Sequence, residues 1–109
     1  MNLLPKNLKA KIPAIGSQDD VFDPMVICKY FDPTGSYTWY VMEGEDREDG
    51  TYEFYGYVAG DFPEFGYFTL RDLETAKQNL RGLKAVPIER DIYFTRCRLS
   101  EITKLYANK

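Results

Sequence analysis

The sequence predicts a single α+β domain over residues 1–109, built on a mostly antiparallel sheet of four to five strands with N-terminal, middle and C-terminal helices. Three observations carry that prediction. Eight of the seventeen residues from Tyr52 to Phe68 are aromatic, and glycines and one proline cut this run into strand-length pieces. Aromatic side chains suit a pleated surface and bring large buried areas. Turn-forming clusters, Asp32-Pro33-Thr34-Gly35-Ser36 and Gly60-Asp61-Phe62-Pro63, separate apolar runs as in successive hairpins. Outside the aromatic run, Leu4-Leu8-Ile12 and Leu70-Leu73-Ala76-Leu80 recur at helical spacing. Hairpins followed by helices define an α+β arrangement.

Each element follows from local signals. Leu3 to Ile12 reads as a short helix, with Pro5 in its first turn and Pro13 as its stop. Gly16 to Asp23 is polar and reads as a loop. Met25 to Phe31 and Tyr37 to Glu43 form the first hairpin. The charged connection Gly44 to Gly50 leads to a third strand, Tyr52 to Ala59, and a short fourth, Glu64 to Thr69. Thr69 with Asp72 approximates a capping box, opening a helix that Gly82 should end. Ala85 to Glu89 and Ile92 to Thr95 read as extended, with Pro87 marking an edge or irregular strand. Ser100 is expected to cap a last helix, Glu101 to Tyr106.

Strand alternation places Tyr52, Phe54, Gly56 and Val58 on one face, and Glu53, Tyr55, Tyr57 and Ala59 on the other. On the second strand Tyr37, Trp39 and Val41 oppose Thr38, Tyr40 and Met42. Both faces therefore carry large side chains. Either helices cover both, or one aromatic face is left for a partner.

Composition narrows the chemistry. Fourteen basic groups against seventeen carboxylates give a net charge of −3, the wrong balance for a basic nucleic-acid stripe. It is also too mild for a mimic of DNA. Histidine is absent, which removes the usual general base and the commonest zinc ligand. Cys28 and Cys97 lie far apart and read as free thiols. No metal or cofactor is expected. The N-terminus lacks the apolar core of a secretory signal, and no apolar run approaches the roughly 20 residues that span a membrane. A soluble cytoplasmic protein without a membrane partner is the expectation, with the oligomeric state left open.

Four constellations are candidate sites. The five carboxylates of Glu43–Gly50 have the density to hold calcium, but Arg47 interrupts them and the spacing of a calcium loop is missing, so a solvated loop is the plainer reading. Trp39, Tyr40, Tyr55 and Tyr57 offer rigid aromatic contacts to a macromolecule, set against a packed core with hydroxyls at its rim. Glu89-Arg90-Asp91 offers a carboxylate pair and a guanidinium for a small ligand or acid–base work, set against structural pairing. Arg96, Arg98, Lys104 and Lys109, with Lys77, Arg81 and Lys84, form the one positive cluster, which can equally complement helix ends.

Several strings together carry a family resemblance. Gly56, Val58 and Gly60 precede Glu64, Gly66, Tyr67, Phe68, Leu70, Leu73 and Glu74. A second block holds Ile88, Glu89, Arg90, Asp91, Phe94, Leu99, Ser100 and Glu101, and the opening reads LLPKNLKAKIP. The chain resembles the small bacterial proteins grouped as domain of unknown function 2958. The connection QNLRGLKAVP is longer than that family's link, and the acidic loop is expanded. The resemblance implies cargo of plasmids, integrative elements and phages, with a role in element maintenance or in blunting host defence. It supplies no catalytic residues.

Three functions are expected in order. The first is a non-enzymatic accessory protein of a mobile element that binds a macromolecule, most simply a protein, and inhibits a host defence system. The second is a small-ligand protein or enzyme using Glu89, Arg90 and Asp91. The third is a nucleic-acid-binding accessory factor using the C-terminal basic residues.

Overall fold

The alternating side chains of the aromatic run organise everything around them. In a computed structural model that describes residues 1–76 and 86–107, the elements run α1 (Lys6–Lys9), β1 (Met25–Val26), β2 (Cys28–Phe31), β3 (Thr38–Asp46), β4 (Tyr52–Ala59), β5 (Pro63–Thr69), α2 (Leu70–Thr75), β6 (Glu89–Arg90), β7 (Cys97–Arg98) and α3 (Leu99–Thr103), with a 3₁₀ turn over Lys104–Tyr106. Five strands form an antiparallel sheet in the order β5-β4-β3-β2-β6. β1 pairs with β7 in a separate two-stranded ribbon. Strands β2 to β5 are thus the expected antiparallel meander.

Two cores follow from the two faces of β4. On the first face Tyr52, Phe54 and Phe68 pack with Tyr30 and Val41 beneath Leu3, Ile12 and Leu73. Phe54 is wholly buried and stacks on Phe68 at 5.2 Å between ring centroids. On the second face Tyr40, Tyr57, Ala59 and Met42 pack against Val26 and Ile102. Gly56 lies where a side chain cannot go: a Cβ there would drive into the Tyr40 carbonyl and the Val41 backbone.

Several expected boundaries change. The N-terminal helix is one turn, Lys6–Lys9, capped by Pro5 without a side-chain bond. Leu3 lies outside it, because its carbonyl accepts the buried Tyr30 hydroxyl at 2.5 Å. The expected strand Met25–Phe31 breaks at Ile27, so that Val26 and Cys28 serve opposite cores. β3 runs on to Asp46, because Glu43 to Asp46 pair with Tyr52 to Tyr55. Ile92 and Tyr93 turn instead of extending: the Asp91 side chain accepts the Tyr93 N–H at 3.0 Å. Ser100 is not the N-cap of α3. Arg98 holds that position, and Ser100 instead donates its backbone N–H and hydroxyl to Asp23. The capping box at Thr69 and Asp72 forms in both directions. Its helix runs Leu70–Thr75 with Ala76 as C-cap, shorter than expected, and the residues from 77 to Gly82 lie outside the described residues.

Buried acids on the first face make stability depend on alkaline pH. Burial pushes the Cys28 thiol from its ordinary 9.0 up to about 12. Burial, aided by nearby Asp46, raises the Tyr52 phenol from 10.0 to about 12, and burial also drives Tyr30 upward. These groups hold their protons more tightly in the folded chain. Their contribution is therefore complete below the unfolded values and fades as pH rises through the folded ones. The melting temperature should hold steady up to about pH 9 and fall between there and about pH 12. A melting temperature that stays flat across that window would contradict this assignment.

Candidate interaction surface

The exposed part of the second face is set by what covers the rest of it. A bulge between Val41 and Glu43 shifts the register of β3 against β4. Beyond Cys28 the neighbouring strand leaves the sheet, so β3 keeps β4 but loses β2 there. The N-terminal loop takes over. The Gly44 N–H donates to the Pro13 carbonyl at 2.9 Å, and the Gln18 amide donates to the carbonyls of Met42 and Met25. Glu43, only 2% exposed, closes the joint: its carboxylate accepts the N–H groups of Gly16 at 2.7 Å and Gln18 at 2.9 Å. A buried carboxylate is tolerated where such donors meet it.

The C-terminal element covers the middle of the same face. The Tyr106 and Tyr40 hydroxyls share a hydrogen bond of 2.8 Å, and the Tyr106 ring meets Tyr57 at 6.0 Å. Asp23 holds the start of α3. The Ser100 hydroxyl, then its N–H, keep the Asp23 carboxyl below the usual range.

What stays open is the corner where β4 meets β5. Tyr55 is half-buried, while Phe65 and Tyr67 are 48% and 61% exposed. Their rings form one continuous array. Tyr55 meets Tyr67 at 4.9 Å and stacks with Phe65 at 6.3 Å, and Phe65 meets Tyr57 edge-on at 5.2 Å. The rim is acidic. Arg47 is shared between Glu45 and Glu53, two carboxylates for one guanidinium, beside Tyr67. Asp19 lies near Tyr55. At the other end of β5, Asp61 and Glu64 line an open cleft of about 170 Å³ with Tyr37 and Phe62.

The residues singled out from sequence are distributed unevenly. Tyr40 and Tyr57 are 3% and 8% exposed, so they support the corner from below. Trp39 is half-buried on the opposite face, packed with Tyr37. Only Tyr55 of the four reaches the open corner. Phe65 and Tyr67 were not singled out as a site. Alternation along β5 together with its place at the end of the meander is the signal that finds them. Glu89, Arg90 and Asp91 do not converge. Arg90 pairs across from Tyr30, and Glu89 across from Phe31. Asp91 makes an ion pair with Lys29 at 3.6 Å. Of the acidic stretch Glu43–Gly50, Glu43 is buried rather than solvated. In the basic cluster Lys104 pairs with Glu101 and Arg98 bonds the Asp23 carbonyl. Lys77, Arg81, Lys84 and Lys109 lie outside the described residues. Cys28 and Cys97 are both free. Among the described residues no group of three or more Cys, Asp or Glu side chains converges to hold a metal, and no helix is long and apolar enough to cross a membrane.

A family model matches residues 3–108, nearly the whole chain: protein of unknown function, DUF2958. The chain belongs to that family. Comparisons with curated proteins and with solved structures found no match.

The joint at Glu43 makes its own prediction. Glu43→Gln keeps the shape but turns an acceptor into an amide N–H aimed at a backbone donor. Unfolding free energy measured in urea should drop by about 2 kcal/mol, the cost of a buried donor left unpaired. A loss below about 0.5 kcal/mol, the size of an ordinary surface substitution, would contradict the role assigned to this carboxylate.

Proposed function

We propose that this chain is a non-enzymatic accessory protein of a mobile genetic element that acts by binding a protein partner and thereby blunts a host defence system. The mobile-element setting comes from the sequence resemblance. The binding mode is supported by one observation: Phe65 and Tyr67 lie open on the terminal strand β5, in ring contact with half-buried Tyr55 on β4. Aromatic rings of this kind dominate binding energy at protein interfaces. The acidic rim favours a protein with cationic groups over the phosphates of a nucleic acid.

The small-ligand reading at Glu89, Arg90 and Asp91 has one observation in its favour. The Arg90 Nε is buried without a hydrogen-bond partner among the described residues. Asp91 is taken up by Lys29, and the Arg90 charge acts on the buried Cys28 and Tyr30.

A double variant separates these readings. Phe65→Ala with Tyr67→Ala removes exposed rings and should leave the melting temperature within a few degrees of the parent. Capture of a native-host partner should weaken by about 30-fold, the loss of a hot spot worth about 2 kcal/mol. Arg90→Ala should leave that capture intact when the variant is folded. Unchanged capture by the double variant, with a small-molecule activity lost in folded Arg90→Ala, would favour the ligand reading instead.

A further inference from the structure

We propose that β5 is a strand-addition site, where an extended segment of a cationic partner protein pairs antiparallel to Pro63–Thr69. The inference rests on the protein-binding reading above and names the kind of partner. β5 pairs with β4 along its whole length, Pro63 to Thr69, without a register shift. Among the described residues nothing pairs with its other side. Every second N–H and C=O of the strand therefore points outward. Pro63 removes a donor only at the strand's first position. Edge strands are commonly blunted by charged side chains, lysine above all, by proline, by bulges or by covering segments. Of these β5 carries only Pro63 and Glu64, both at its start. β5 reads PEFGYFT, with no lysine and no bulge. The opposite edge, β6, is only two residues long.

Alternation sets what the partner strand must carry. Phe65 and Tyr67 share the open aromatic face, so the residues opposite them should be apolar. Gly66 lies between, with no atom within 4 Å of where its Cβ would stand, which leaves room for a large side chain opposite it. Glu64 is exposed and lies beside the cleft that Asp61, Tyr37 and Phe62 also line. Opposite Glu64 the partner should place lysine or arginine, whose cation meets two carboxylates and two rings. Read from its N-terminus, the partner segment is apolar, large, apolar, basic.

Charge decides against a second copy. Two β5 strands paired about Gly66 would set Glu64 of one copy against Phe68 of the other, with no cation on either strand. Both copies would also bring Asp61 and Glu64 to the new interface. A nucleic acid would meet the same carboxylates with its phosphates.

The probe is the peptide acetyl-Thr-Val-Tyr-Val-Lys-Ser-amide, titrated into the full ¹⁵N-labelled chain and followed by amide chemical shifts. The largest shifts should fall on β5. Changing the peptide lysine to glutamate should weaken binding by about fivefold or more, and Glu64→Lys should restore affinity for the glutamate peptide. Methylating alternate backbone nitrogens of the peptide should abolish binding for one set and spare the other. Equal binding by both methylated sets, or shifts centred elsewhere, would overturn strand addition. A dimer in sedimentation velocity that Phe65→Ala with Tyr67→Ala dissolves would overturn it in favour of self-pairing. If the peptide does not bind while the double variant still loses its host partner, strand addition fails and the protein-binding reading stands. Retained capture by the double variant would instead sink that reading.

Discussion

The buried carboxylate of Glu43 is the constraint on which the rest of this structure depends. A meander of four strands has two faces and no inherent way to take its N-terminal segment from one to the other. Here the chain crosses where β3 outruns β2. Ile12 belongs to the first core, and Val26 to the second. Between them the loop must satisfy the β3 backbone that β2 no longer reaches. Pro13 and Gln18 do so, and Glu43 fixes the loop by accepting two of its N–H groups. The bulge before Glu43 turns this side chain toward the loop.

From that joint the distribution of exposed surface follows. With the loop held over one end of the second face, the C-terminal element covers its middle through Tyr106 and Ile102. Asp23, at the far end of the same loop, binds Ser100 and so ties the last helix to the first ribbon. The first face is closed by Leu3, Ile12 and Leu73. The second is closed only in part. The β4–β5 corner is therefore where large rings meet solvent, and it is also where the sheet ends. Among the described residues, an aromatic surface and an open backbone edge coincide there.

Much of this was legible in the sequence, for reasons that particular residues make plain. β4 matches Tyr52–Ala59 residue for residue, because alternation of large side chains between two turns is a strong strand signal. The capping box at Thr69 and Asp72 was legible because it is purely local. The break at Ile27 was not, since MVICKYF reads as one apolar run and only tertiary pairing of Met25 with Arg98 pulls its start away. Nor was the role of Glu43, which sits in an acidic stretch that resembles a solvated loop. A bulge leaves no mark in the sequence. Ser100 misled for a related reason: its capping partner is Asp23, distant in the chain. The candidate surface was half legible. Tyr55 was identified and does reach the open corner, but Tyr40 and Tyr57 are consumed by packing with Tyr106 and Phe94. Aromatic content alone does not say which rings stay wet.

Amide hydrogen exchange on the isolated chain reads the joint and the open edge in one experiment. The N–H groups of Gly16 and Gln18 should exchange slowly, although both lie in a loop, since the Glu43 carboxylate holds them. Exchange along β5 should alternate, slow toward β4 and fast toward solvent. Gly16 and Gln18 exchanging as fast as a free loop, together with uniform protection along β5, would contradict both the joint and the open edge.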